Sequence, residues 1–229
     1  MNLSLKGVGL AGMLLLSTAA SATLIDRGNG LIYDDVLDLT WMQDANYAGT
    51  QGYGRNGAMT WDDAMAWADS LVYEGFDDWR LPTMVDTGNP GCDFAQSGTD
   101  CGYDVLTTDG STVYSEMASL WFDTLGNPTS GGVVNTGPFQ NVQVADFNDY
   151  YWLDQEYAPR DDVAWSFYTY NALQFAEQKH DFHYAWVVRS GDVTGEVIAS
   201  ATASVPEPGT ALLLGGGLVG LLGFMRKKK

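Results

Sequence analysis

Apolar positions in the middle of the chain change period as the chain proceeds. Leu31-Ile32-Tyr33 and Leu39-Thr40-Trp41-Met42 are short β-type runs, and the Asp34-Asp35 pair between them is turn chemistry. From Thr60 the period becomes helical. Thr60 is a capping residue, Asp63 stands at the reciprocal capping position, and Ala64, Trp67, Ala68 and Leu71 share a face, with Gly75 as the expected stop. Trp79-Arg80-Leu81-Pro82-Thr83 follows, and Pro82 bars further regular structure there. Residues 84–112 are rich in Gly and Asp and predict a long insertion loop. A second helix is expected over 115–125, with Met117, Leu120, Trp121 and Leu125 facing inward and Gly126-Asn127 ending it. The remainder predicts strands at 141–147, 150–153, 164–170, 173–178 and 184–189, with Asn171-Ala172 turning one hairpin. Two helices followed by antiparallel strands make an α+β domain.

The two ends follow other rules. Lys6, an apolar run over residues 7–16 and the small residues 17–22 predict a signal peptide cut by signal peptidase after Ala22. The apolar run is too short to span about 30 Å of hydrocarbon as a stable anchor. At the other end, Pro206-Glu207-Pro208 precedes a stretch, 209–225, that is apolar or glycine except for Thr210, and Arg226-Lys227-Lys228-Lys229 closes it. A membrane helix of that length with a basic end leaves the preceding domain outside the cytoplasm. This tail resembles the PEP-CTERM sorting signal. The resemblance implies tail removal by an exosortase, an inner-membrane intermediate, and delivery to the cell surface or extracellular matrix of a Gram-negative bacterium that makes extracellular polysaccharide. The expected layout is a signal peptide (1–22), a central domain (23–198), a small-residue linker (199–204) and a sorting signal with a transmembrane helix (205–229).

Charge narrows the partners of the central domain. Arg27, Arg55, Arg80, Arg160, Lys179 and Arg189 are its basic residues, against 28 of the chain's 29 acidic ones. Nucleic acid and anionic lipid are excluded as partners on that balance, because phosphate is held by Lys and Arg. Neutral sugars and cations remain. Cys92 and Cys101 are the two cysteines of an exported chain and predict a disulfide across a polar loop. No motif demands a cofactor. Calcium, which takes six to eight oxygen ligands, is the ion best suited to the acidic loops. Asp93, Asp100, Asp104 and Asp109 form one cluster. Asp146, Asn148 and Asp149 form another beside Tyr150, Tyr151 and Trp152, whose faces could stack on a sugar ring. The alternative for Asp146 to Asp149 is a tight turn bonded to its own backbone.

The motifs Gly28-Asn29-Gly30 to Leu39-Thr40-Trp41, Thr60-Trp61-Asp62-Asp63-Ala64, Asp78-Trp79-Arg80-Leu81-Pro82-Thr83, Tyr151-Trp152, Ala164-Trp165-Ser166-Phe167 and Ala185-Trp186-Val187-Val188-Arg189-Ser190-Gly191 stand in the order of the Lcl C-terminal domain family. The chain resembles that family over nearly all of its central domain, and the resemblance implies a C-type-lectin-like fold. It departs from the family where Met84-Val85 and a long loop follow Trp-Arg-Leu-Pro-Thr. Trp79 and Trp186 supply large buried area, core packing is the default for Trp61, Trp67, Trp121, Trp152 and Trp165, and Arg80 is expected to pair with a carboxylate or cap a turn. His180 and His183 have a spacing that could share a metal, but lack the His-Glu-x-x-His pattern. No nucleophile elbow or phosphate-binding loop is present, so the expected role is non-enzymatic association with extracellular polysaccharide. The alternative is a secreted glycoside-processing enzyme using carboxylates among Glu156, Asp161 and Asp162.

Overall fold

The computed structural model describes residues 23–88, 92, 100–129, 134–144 and 150–194. By its contacts the chain divides into Met1–Val193 and Thr194–Lys229. Every element below belongs to the first unit. The architecture is mixed, with mostly strands and few helices, in keeping with the α+β expectation. No helix among the described residues is long and apolar enough to cross a membrane. The expected signal peptide, linker and C-terminal span lie outside those residues.

Two sheets carry the strands. The first has the order β1-β2-β3-β10, formed by β1 (Leu24–Gly28), β2 (Leu31–Asp34), β3 (Leu39–Met42) and β10 (Val188–Ser190), all antiparallel. The sequence reading had not anticipated β1. Gly28-Asn29-Gly30 turns β1 into β2 with three consecutive positive φ angles. A Cβ on Gly30 would come within 2.7 Å of the Tyr73 hydroxyl, which donates to the Asn29 carbonyl. Between β2 and β3 the Asp34 carboxylate accepts the Val36 and Leu37 N–H groups, which is the expected turn chemistry.

The second sheet has the order β4-β9-β6-β7-β8-β5. Its strands are β4 (Ala58–Met59), β5 (Gly102–Tyr103), β6 (Tyr150–Glu156), β7 (Val163–Tyr168), β8 (Leu173–Gln178) and β9 (His183–Tyr184). All pairs are antiparallel except β6 with β9. The strand expected over 141–147 does not form at residues 141–144, and 145–147 lie outside the described residues. The single strand expected over 184–189 is two strands. β9 belongs to one sheet and β10 to the other, and Ala185-Trp186-Val187 passes between them with 1 %, 0 % and 1 % exposure.

α1 (Tyr47–Thr50) is a single turn capped by Asn46. α2 (Trp61–Ser70) begins as expected, with Thr60 accepting the Asp63 N–H and donating to the Asp63 carboxylate. It stops before Gly75, because Leu71 turns to extended backbone and enters the core. Glu74 and Gly75, both at positive φ, then make a two-residue turn closed by Tyr73 and Phe76, which exchange backbone hydrogen bonds of 3.0 Å. The second expected helix starts as α3 (Glu116–Ala118), capped by Ser115, and widens into a π-helical stretch over Ser119–Thr124. Met117, Leu120, Trp121 and Leu125 are all buried.

Seven of the eight tryptophans are buried, and the joint between the sheets is aromatic. The Trp186 ring meets Trp41 at 5.3 Å, Phe139 at 4.8 Å and Tyr151 at 5.5 Å, and its indole N–H donates to the Met42 carbonyl. The Trp79 to Thr83 segment lies against β10 through reciprocal backbone bonds between Arg80 and Val188. The Arg80 guanidinium donates to both Glu116 oxygens, at 2.7 and 2.8 Å, and Glu116 also accepts the Thr83 N–H. Glu116→Ala therefore leaves the partly exposed Arg80 guanidinium with only the Leu81 carbonyl and the Thr83 N–H without its acceptor, and is expected to cost about 2–3 kcal/mol in denaturant unfolding. Replacing both partners by apolar residues of similar volume should cost less than the single change. A loss under about 1 kcal/mol for Glu116→Ala would show that this pair does not hold the segment.

Candidate functional site

The β7–β8 hairpin forms one wall of an open cleft of about 460 Å³. Phe175, Glu177 and Gln178 line it from β8, Tyr157 and Arg160 from the turn between β6 and β7, and the disulfide from the insertion loop. Tyr157 is held by its N–H bond to the Val163 carbonyl and by edge-on contact with Trp165 at 5.3 Å. Arg160 forms a two-point ion pair with Asp162. The expected bond between Cys92 and Cys101 is present, with Cα atoms 4.7 Å apart. Cys101 is 1 % exposed and packs in the core immediately before β5, so the bond fastens the loop to the sheet. Aromatic rings beside amide, guanidinium and carboxylate groups can take a polar ligand that has an apolar face.

A second cluster lies where β8 leads to β9. Glu177 is near the end of β8, Asp181 follows the turn, and His183 opens β9. One ligand-type atom from each lies within 4.8 Å of the others. His183 is 7 % exposed, with its ring 4.4 Å from Trp152 and 4.9 Å from Tyr150. Neither ring nitrogen has a hydrogen-bond partner. Burial pushes the imidazole down to about 4, against smaller upward pulls from Asp181 and the Phe182 carbonyl. Burial, and then the neighbouring Asp181 charge, raise the Glu177 carboxyl above its usual range. His180 is exposed at 79 % of its side chain and stands outside this cluster, so the two histidines do not act as the pair their spacing suggested.

The residues singled out for sugar stacking sit elsewhere than expected. Tyr151 and Trp152 are fully buried and have no open ring face. The Tyr151 hydroxyl accepts the Gln143 N–H, and the Trp152 indole donates to the Met59 carbonyl. β6 lies inside its sheet, between β9 and β7, and the successive residues Tyr151, Trp152 and Leu153 are all buried, so packing covers both faces of the strand. Tyr150 is half-buried and stacks on Tyr168 at 4.3 Å, and burial pushes its hydroxyl up to about 12. Asp146, Asn148, Asp149 and Asp93 lie outside the described residues. Of the other loop carboxylates, Asp109 is engaged with the Ser111 and Thr112 N–H groups and the Ser111 and Tyr114 hydroxyls, and Asp100 with Thr87. Asp109 is held below the usual carboxylate range by those bonds. Glu156 is paired with Lys179 and Asp162 with Arg160. The cleft and the Glu177–Asp181–His183 cluster are not evident in the sequence, although Glu177 precedes the two histidines closely and Asp181 lies between them.

Residues 204–228 match the model of the PEP-CTERM protein-sorting motif. That stretch holds Pro206, Glu207, Pro208 and most of the basic end. The match indicates exosortase processing, with export and membrane-associated sorting before surface or extracellular release. Comparison with curated proteins and with solved structures yields no match.

Two outcomes follow from these arrangements. Glu207→Ala should leave export intact and stop removal of the tail, seen as loss of the processing shift on a gel. A normal shift would mean that the tripeptide is not read. The double change Cys92→Ser with Cys101→Ser should lower stability by about 2–3 kcal/mol, the chain-entropy value for so short a loop. Unfolding should remain cooperative, and a broad, non-cooperative melt would show that the bond is needed to build the sheet.

Proposed function

We propose that the chain is an exosortase-processed surface or matrix protein of a Gram-negative bacterium whose central domain binds extracellular polysaccharide and performs no chemistry on it. The observation that carries this reading is the cleft beside the disulfide. Tyr157 and Phe175 offer the apolar surface against which a sugar ring packs. Arg160, Glu177 and Gln178 supply donors and acceptors for ring hydroxyls. The order of motifs shared with the Lcl C-terminal domain family supports a lectin-like module, and the sorting motif supports delivery to where such polymers lie. A neutral polymer suits the domain best, because its 28 acidic residues repel anionic chains. Calcium held by Asp146, Asn148 and Asp149 is compatible with the same reading.

Binding is favoured over hydrolysis because the acids expected for hydrolysis are engaged elsewhere, and the cleft lining itself offers a single carboxylate, the raised Glu177, where glycoside hydrolysis uses a pair. A general acid needs a raised carboxyl and room to reach the glycosidic oxygen. Asp162 is instead lowered by Arg160, and Glu156 is engaged by Lys179. The test is retention of the full-length protein on the host's own polysaccharide. Tyr157→Ala combined with Phe175→Ala should weaken retention about tenfold, from two lost aromatic contacts of about 0.5–1.5 kcal/mol each. Unaltered retention would move the ligand away from the cleft. Release of new reducing ends that disappears in Glu156→Gln would replace binding with hydrolysis.

A further inference from the structure

The cluster at the β8–β9 connection has features that the binding reading does not use. Glu177 and Asp181 place carboxylate oxygens within 4.8 Å of each other and of a His183 nitrogen. Two carboxylates so close repel unless something positive lies between them. Among the described residues no arginine or lysine stands in this cluster, and only the exposed His180 approaches Asp181, at 4.0 Å, whereas Glu116, Glu156, Asp78, Asp162 and Asp192 each face an arginine or lysine. His183 supplies a separate observation. Its ring is more than nine-tenths buried between Trp152 and Tyr150, yet neither nitrogen has a hydrogen-bond partner. Native interiors seldom leave a polar side chain in that condition without a ligand to take it up.

We infer that Glu177, Asp181 and His183 bind a divalent first-row transition ion, with zinc the favoured occupant. The donor set decides the class. An imidazole nitrogen suits zinc, copper, nickel or iron, whereas calcium and magnesium call for oxygen throughout. Among these metals the mixed nitrogen and carboxylate set, with no geometric demand from the ion, is met most readily by zinc. Three protein ligands leave a fourth position for water or an outside donor. Glu177 also lines the cleft, so the ion would lie at its margin. The ligands come from the end of β8, the connection and the start of β9, so the ion would clip that connection closed just ahead of the buried Ala185-Trp186-Val187 segment. This inference does not depend on polysaccharide binding.

The experiment is calorimetric titration of the full-length chain in detergent, first stripped with chelator, using zinc chloride in the presence of excess calcium to mask loosely held carboxylates. One zinc per chain should bind and raise the melting midpoint. Glu177→Gln and Asp181→Asn change half-buried side chains, so they should keep the metal-free midpoint while weakening zinc by about tenfold or more each. His183→Phe should abolish binding, and the two carboxamide variants carry the test if that protein does not fold. Unchanged affinity in both carboxamide variants, absence of a stoichiometric site, or displacement of zinc by equimolar calcium would each overturn the assignment.

Discussion

The structure depends on one buried crossing. After β9 the chain leaves the six-stranded sheet, and within three residues it has joined the four-stranded one as β10. Those three residues have almost no exposure, and the middle one is Trp186, packed edge-on against Trp41 and Phe139. A side chain of that kind removes roughly 150–250 Å² from water, and its single polar atom is satisfied by Met42. The two sheets are thus held together by an aromatic cluster with residues from both, and the last segment of the domain closes the structure. The Trp79 to Thr83 segment is fixed against this crossing by its backbone bonds to Val188.

A shortage of positive charge shapes the rest. Each basic side chain of the central domain has a defined engagement. Arg27 pairs with Asp192, Arg80 with Glu116, Arg160 with Asp162, Lys179 with Glu156 and Arg189 with Asp78, while Arg55 lies over the Phe182 ring. Arg80 and Arg189 each tie a distant segment to β10 or its neighbour. Most of the 28 carboxylates have no cationic counterpart, and the surface keeps a strong negative field. That field suits solubility outside the cell, attracts cations and opposes the approach of anionic polymers.

The cleft shows how such a domain can carry a site without a motif. Tyr157 and Arg160 come from one hairpin turn, Phe175 to Gln178 from the strand beyond it, and the disulfide from a loop more than fifty positions earlier. The same strand end supplies Glu177 to the histidine cluster, so the cleft and the cluster are neighbours by construction. The sorting motif lies in a separate unit of the chain from the domain it exports.

How much of this was legible in the sequence depended on the range of the interaction responsible. Thr60 with Asp63, Asp34 with its two following N–H groups, the Leu173–Gln178 strand and the sorting tail were readable, because each is specified by residues a few positions apart. The break between β9 and β10 was not, because 184–188 is an unbroken run of aromatic and aliphatic residues and nothing local says that its two ends pair with different sheets. The early stop of α2 was misjudged for a related reason: Gly75 is a turn residue, and the core's demand for Leu71 ends the helix first. Tyr151 and Trp152 look like ligand faces in the sequence, but packing on both faces of β6 buries them. By itself, then, the sequence determined the local elements, the acidic character and the export route. Only tertiary packing decided which aromatics are buried, which carboxylates find a cation, and that His183 is brought against Glu177 and Asp181, because those outcomes rest on contacts between segments whose pairing no local pattern encodes.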